Sequence, residues 1–128
     1  MTWLLDTHAL LWALTGDERL SPRAREILAD GEQPIHVSAA SAWEISVKVA
    51  RGRLTLSFPP ERLLEIVTGP FRLIPLPVGF DHALAAGSLP PIHRDPFDRL
   101  LVAQARAIGA TIVTGDPEIA RYGVPTAW

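Results

Sequence analysis

The chain has 128 residues, 48% of them hydrophobic, no cysteine, and a formal charge of −2 from 12 Lys+Arg against 14 Asp+Glu. That length suits one domain, able to bury roughly two thirds of its unfolded surface without a covalent staple. The composition excludes a disulfide scaffold, a zinc–thiolate site and a cysteine nucleophile; it also excludes a global basic field, so any nucleic-acid contact must use a local patch.

Lys48 is the only lysine, and the other cations are arginines, whose forked guanidinium suits phosphate. Codon bias produces the same composition. No apolar run approaches the ~20 residues of a membrane span. Asp6 follows almost at once on an N-terminus with no basic region, which does not read as a signal peptide. A cytoplasmic protein with a single domain over residues 1–128 is expected.

In chain order, Trp3 to Leu5 reads as a short buried strand and Thr7 to Leu14 as a helix. Ser21-Pro22 opens a second helix, with serine as cap and proline at the first helical position, running to Gly31. Ile35 to Ser38 is a second strand. A helix with Trp43, Ile45, Val47 and Val49 follows and ends at Arg51-Gly52. Glu61 to Val67 reads as a helix after Pro59-Pro60, and Arg72 to Leu76 as a strand that Pro75 and Pro77 push to an edge. Phe80 to Ala86 is a short helix, Gly87 to Arg94 a loop, and Asp95-Pro96 the start of a helix reaching Ile108-Gly109. Thr111 to Thr114 is a buried strand, Pro117 to Tyr122 a short helix and Val124 to Ala127 a last strand. Strands separated by helices predict a three-layer α/β/α sandwich around a mainly parallel sheet, with all strand C-termini on one rim.

Four acids sit where apolar stretches run out: Asp6, Glu44, Asp98 and Asp116. Open α/β sheets bind ligands beyond the carboxyl ends of their strands, so these carboxylates are predicted to converge there. Each has a plain structural alternative. Asp6 fits a helix cap, although Thr7 is also available. Ser41-Ala42-Trp43-Glu44 matches a capping box, whereas a helix starting nearer Ser38 places Glu44 inside it. Asp116 in Gly115-Asp116-Pro117 fits a turn. Asp95 reads as a cap or a supporting acid; Asp98, three residues on, reads as a ligand, because two acids at one helix start are best explained by a nearby cation.

Carboxylate oxygens suit Mg2+, which keeps several waters and takes one or two direct carboxylates. Two such ions ~3.5–4 Å apart can activate water and stabilise the leaving oxygen of a phosphodiester. Arg94 and Arg99 flank the Asp95/Asp98 pair as candidate phosphate clamps, Lys48 and Arg51 could extend the track, and Thr114 adds a hydroxyl on the rim. The four histidines share no ligand spacing. His8 and His93 lie near the acids, but a core or surface role is the simpler reading for both.

Four segments resemble the PIN-domain ribonucleases, specifically VapC-type toxins of toxin–antitoxin pairs. They are Leu4-Leu5-Asp6-Thr7-His8, Ser38-Ala39-Ala40-Ser41-Ala42-Trp43-Glu44-Ile45, Asp95-Pro96-Phe97-Asp98-Arg99-Leu100-Leu101-Val102-Ala103-Gln104-Ala105, and Val113-Thr114-Gly115-Asp116. Each alone is a weak motif; together, in order, they make a specific match over nearly the whole chain. The resemblance implies an Mg2+- or Mn2+-dependent endoribonuclease with Asp6, Glu44, Asp98 and Asp116 as the acidic quartet. It also implies a homodimer and a cognate antitoxin that blocks the site.

A receiver-like phosphotransfer domain has similar length and topology but needs an acidic pair after the first strand and a late lysine. Here Thr7 follows Asp6, and Lys48 is early. A haloacid-dehalogenase-like phosphatase wants a second aspartate where His8 stands. The remaining alternative, a catalytically silent RNA- or protein-binding module of the same fold, leaves the four acids unexplained.

Overall fold

The computed structural model describes all 128 residues. Five strands, β1 (Trp3–Leu5), β2 (Ile35–Ser38), β3 (Ile74–Leu76), β4 (Thr111–Val113) and β5 (Thr126–Ala127), form one sheet in the order β3-β2-β1-β4-β5. Every pairing is parallel. Seven helices connect or follow the strands: α1 (Thr7–Thr15), α2 (Pro22–Asp30), α3 (Ala39–Ala50), α4 (Leu63–Thr68), α5 (Phe80–Gly87), α6 (Pro96–Ile108) and α7 (Pro117–Ala120).

The layers follow from the period-two alternation of strand side chains. In β1, Trp3 and Leu5 join one core with Leu10 of α1, Ala24 and Ile27 of α2, Ile45 of α3 and Leu63 and Val67 of α4. Leu4 turns the other way and joins Leu101, Val102 and Ala105 of α6, Ile119 of α7 and Tyr122. β4 repeats the division, with Val113 on the first face and Ile112 on the second. A sheet buried on both faces between helices is the predicted three-layer α/β/α sandwich.

Local chemistry sets the boundaries. Ser21 accepts from the Ala24 N–H and Asp95 from those of Phe97 and Asp98, each with proline at the start of its helix. Gly109 closes α6 at φ 66, a left-handed conformation that costs glycine little. β3 lies at one edge, as Pro75 requires. Four elements differ from the sequence expectation; β3 starts at Ile74 rather than Arg72, whose φ of 53 is not extended. Residues Pro60–Arg62 form a 3-10 turn before α4 instead of its first helical residues. α7 stops at Ala120 in a turn leading to Gly123, at φ 78. β5 is limited to Thr126–Ala127, since Pro125 has no N–H to donate.

Candidate active site

Register brings the ends of β1, β2 and β4 to one rim. Leu5 at the end of β1 pairs with Val37 of β2 and Val113 of β4, so the residues just beyond these strands emerge side by side. After β1 the chain continues towards β2 and β3, then crosses to β4 on the other side of β1. The β1/β4 boundary is therefore the switch point where open α/β sheets hold ligands. A crevice of about 420 Å3 opens there, with Asp6 and Asp116 in its lining.

Asp6 is buried and caps α1, its Oδ1 accepting from the Ala9 N–H at 2.7 Å. The cap is thus Asp6 itself, not Thr7, whose hydroxyl instead donates to Ser41 Oγ at 3.0 Å. Glu44 is buried within α3, whose cap is Ser38; the capping-box alternative at Ser41 does not form because the helix begins three residues before that serine's box would start it. Asp98 occupies the first turn of α6 under the cap Asp95. Asp116 caps α7, with Oδ1 accepting from the Glu118 N–H at 2.9 Å, and its own N–H donates to Thr114 Oγ1 at 3.0 Å.

The carboxylates sense one another. Burial pushes the Asp98 carboxyl up to about 7, and Asp95, Asp6 and Glu44 add to the rise against a hydrogen bond from His93. Burial also raises Asp6; the Thr114 side chain, the Ala9 N–H and His8 oppose that rise, and Asp116 adds to it. Asp98 thus couples Glu44 and Asp95 to Asp6, and Asp6 couples to Asp116. No three His, Asp or Glu side chains stand close enough to share one ion directly. The all-oxygen donor set and its mutual repulsion still fit a hard divalent cation that takes one or two carboxylates and keeps its waters.

The basic candidates divide. Lys48 Nζ bonds Glu44 Oε2 at 2.8 Å, four residues along α3, so it neutralises that acid rather than offering a free phosphate contact. Arg99 is a correction. Its Nη1 donates to Pro90 O at 2.8 Å and Tyr122 Oη at 3.2 Å, and its Nη2 to Ala86 O at 3.0 Å and Leu89 O at 2.9 Å. A guanidinium with four protein acceptors is a strap on the loop before α6, not a phosphate clamp. Arg94 is exposed in that loop, and Arg51 is exposed beyond α3.

His93 has a role that its sequence position did not reveal. Tyr122 Oη accepts from Arg99 Nη1 at 3.2 Å and from the His93 N–H at 3.4 Å, which fills both lone pairs. Its hydrogen is left for His93 Nδ1 at 2.7 Å. Nδ1 is then an acceptor, the proton sits on Nε2, and Nε2 donates to Asp98 Oδ2 at 3.4 Å. Sequence reasoning also missed the polar layer beneath the rim. Gln104 is fully buried; it accepts from the Ser38 hydroxyl and donates to Pro77 O at 3.1 Å. Its sequence signal was a lone amide on the otherwise apolar face of α6.

A parallel α/β/α sandwich with acids gathered at its switch point defines a class of ligand-binding α/β domains. The family is narrower: the model of the PIN domain matches residues 3–125, and the chain belongs to the PIN-domain family, whose members are generally nucleases. No curated protein matches the sequence. Among solved structures, the chain is similar to one in VapBC2 from Rickettsia felis bound to a DNA fragment from their promoter, with TM-score 0.72, 19% identity, and 99% of this chain and 98% of that one covered. It is also similar to one in DNA-bound VapBC from Salmonella typhimurium, with TM-score 0.72, 20% identity, and 99% and 97% covered. A third is FitAcB from Neisseria gonorrhoeae, with TM-score 0.67, 17% identity, and 97% and 95% covered. These likenesses show the fold. No helix is long and apolar enough to cross a membrane.

Proposed function

We propose that the chain is a metal-dependent endoribonuclease, the VapC-type toxin of a toxin–antitoxin pair, acting in the cytoplasm. The observation that carries this reading is the field of acids at the switch point, where Asp6 and Asp116 line one crevice and Asp6 and Glu44 are buried. Such a field is costly for a binding module and suits a cation. Family membership and structural neighbours solved as toxin–antitoxin complexes support the same reading.

Of Asp6, Asp98 and Asp116, one or two would hold Mg2+ or Mn2+ directly and the rest through its waters, with Glu44 as fourth member of the quartet. The ion, when bound, supplies Lewis-acid activation of water and neutralises charge on the phosphate. The chain's own contributions are positional. The Ala9 N–H fixes Asp6, and His93 fixes Asp98. The N-termini of α1 and α6 favour an anionic phosphate at the rim. Thr114 is buried and its side chain bonds both the Asp116 N–H and Asp6, so it ties these two acids together, and exposed Arg94 is the remaining candidate substrate contact. A homodimer and an antitoxin covering the rim complete the reading.

The test is cleavage of RNA by purified protein, with product 5′ ends sequenced. Mn2+ or Mg2+ should support cutting, EDTA should stop it, and Asp6→Asn should lose at least roughly 100-fold in rate. Undiminished cutting after chelation excludes the mechanism.

A further inference from the structure

The crevice at Asp6 and Asp116 has a second wall, which hydrolysis does not use. It is built from His8, Trp12, Arg19 and Trp128. The Trp12 ring stands 5.6 Å from that of His8 and 5.7 Å from that of Trp128, with planes inclined at 33° and 55°. The rings are inclined to one another rather than stacked, and both indoles line the crevice.

Arg19 is fixed in this wall. Its guanidinium lies 4.9 Å from the Trp12 ring centre, and Asp17 takes its Nε at 3.1 Å and Nη2 at 2.7 Å. With its charge matched by Asp17, Arg19 buttresses an aromatic surface and is not a free phosphate clamp. Trp128 is 38% exposed. It is seated on Gly115, where a Cβ would lie 2.8 Å from the ring. Glycine is required there so that the ring can rest against the turn that carries Asp116.

We propose that Trp128 and Trp12, with His8, form a subsite for one nucleobase of single-stranded RNA, next to the phosphate to be cut. This rests on the nuclease reading above. The wall and the acids share one crevice, so a base in the subsite and a phosphate at the carboxylates belong to neighbouring parts of one strand. With a net charge of −2, the chain has no net basic field to draw a strand in. Aromatic faces grip unpaired bases without one, and do so with little regard to sequence. A base in a duplex is stacked on its neighbours and unavailable, so the subsite selects unpaired RNA.

Two measurements test this. Tryptophan fluorescence of the cleavage-deficient Asp98→Asn protein, titrated with single-stranded oligoribonucleotides, should be quenched saturably, and the quench should fall sharply when Trp128→Ala is added. In the otherwise native protein, Trp128→Ala should raise KM for single-stranded RNA roughly ten-fold, with far smaller changes in kcat and Mn2+ affinity, and Trp128→Phe should restore most of it. Gly115→Ala, which displaces the ring without deleting it, should move KM the same way. A folded Trp128→Ala protein with native KM overturns the subsite, as does equal loss of kcat and Mn2+ affinity, which marks a structural role. Quenching by a protein partner but not by RNA also overturns it. If the native protein cuts no RNA, the nuclease reading fails by itself, and the titration still decides whether bases bind here.

Discussion

Asp98 is held protonated at a pH where an aspartate is ordinarily ionised. Its carboxyl moves from 3.8 to about 7 through burial first and through Asp95, Asp6 and Glu44 next. The sign of the stability effect follows by linkage. Below about pH 4 both folded and unfolded chains hold the proton, and there is no penalty. Between about 4 and 7 the unfolded chain releases it while the folded chain keeps it, so stability falls as pH rises; above about 7 the loss is complete and constant. Asp6, also raised by burial, acts in the same direction. The melting temperature of metal-free protein should therefore drop across this window, Asp98→Asn should flatten the drop, and Mn2+ should recover stability at the alkaline end by binding only the folded state. A metal-free melting profile that rises from pH 4 to 7 and is unchanged by Asp98→Asn would contradict the electrostatics.

At the scale of elements, α6 and its leading loop carry the site. Asp95 and Pro96 start the helix, Arg99 straps the loop through Pro90, Ala86 and Leu89, and Tyr122 after α7 fixes His93 against Asp98. Removing the Tyr122 hydroxyl leaves His93 free to take either tautomer. Tyr122→Phe should weaken Mn2+ affinity roughly ten-fold, as loss of a partner behind a ligand commonly does. Nitrogen-15 spectra should show His93 leaving the Nε2–H form. A native tautomer with native affinity would show that the hydroxyl does not position Asp98. Much of this level was legible in the sequence. Ser21-Pro22, Asp95-Pro96 and Gly109 announce boundaries because capping is local chemistry. The 3-10 turn at Pro60–Arg62 and the role of Arg99 were not, the latter because a guanidinium's acceptors lie in a loop whose path the sequence does not specify.

At the scale of the whole molecule, the five parallel strands end on one rim, where Asp6 and Asp116, distant in sequence, line one crevice. Asp6, Glu44, Asp98 and Asp116 could be singled out because each follows or opens an apolar stretch, and parallel strands end on one rim. The aromatic wall could not. Trp128 reaches Trp12 only because β5 pairs with β4 and Gly115 leaves it room. Tertiary pairing, rather than any local pattern, brings Trp128 to the crevice. Lys48 shows the reverse case: its i,i+4 relation to Glu44 was readable, yet the pairing turns a supposed phosphate contact into a charge partner for the site.

The proposed activity requires the acids to share a divalent ion, and calorimetric titration of purified protein with Mn2+ tests that most directly. The native chain should show saturable binding that weakens by at least roughly ten-fold in Asp6→Asn and in Asp98→Asn, with both variants folded. Equal Mn2+ affinity in all three proteins, or none in the native chain, would contradict it.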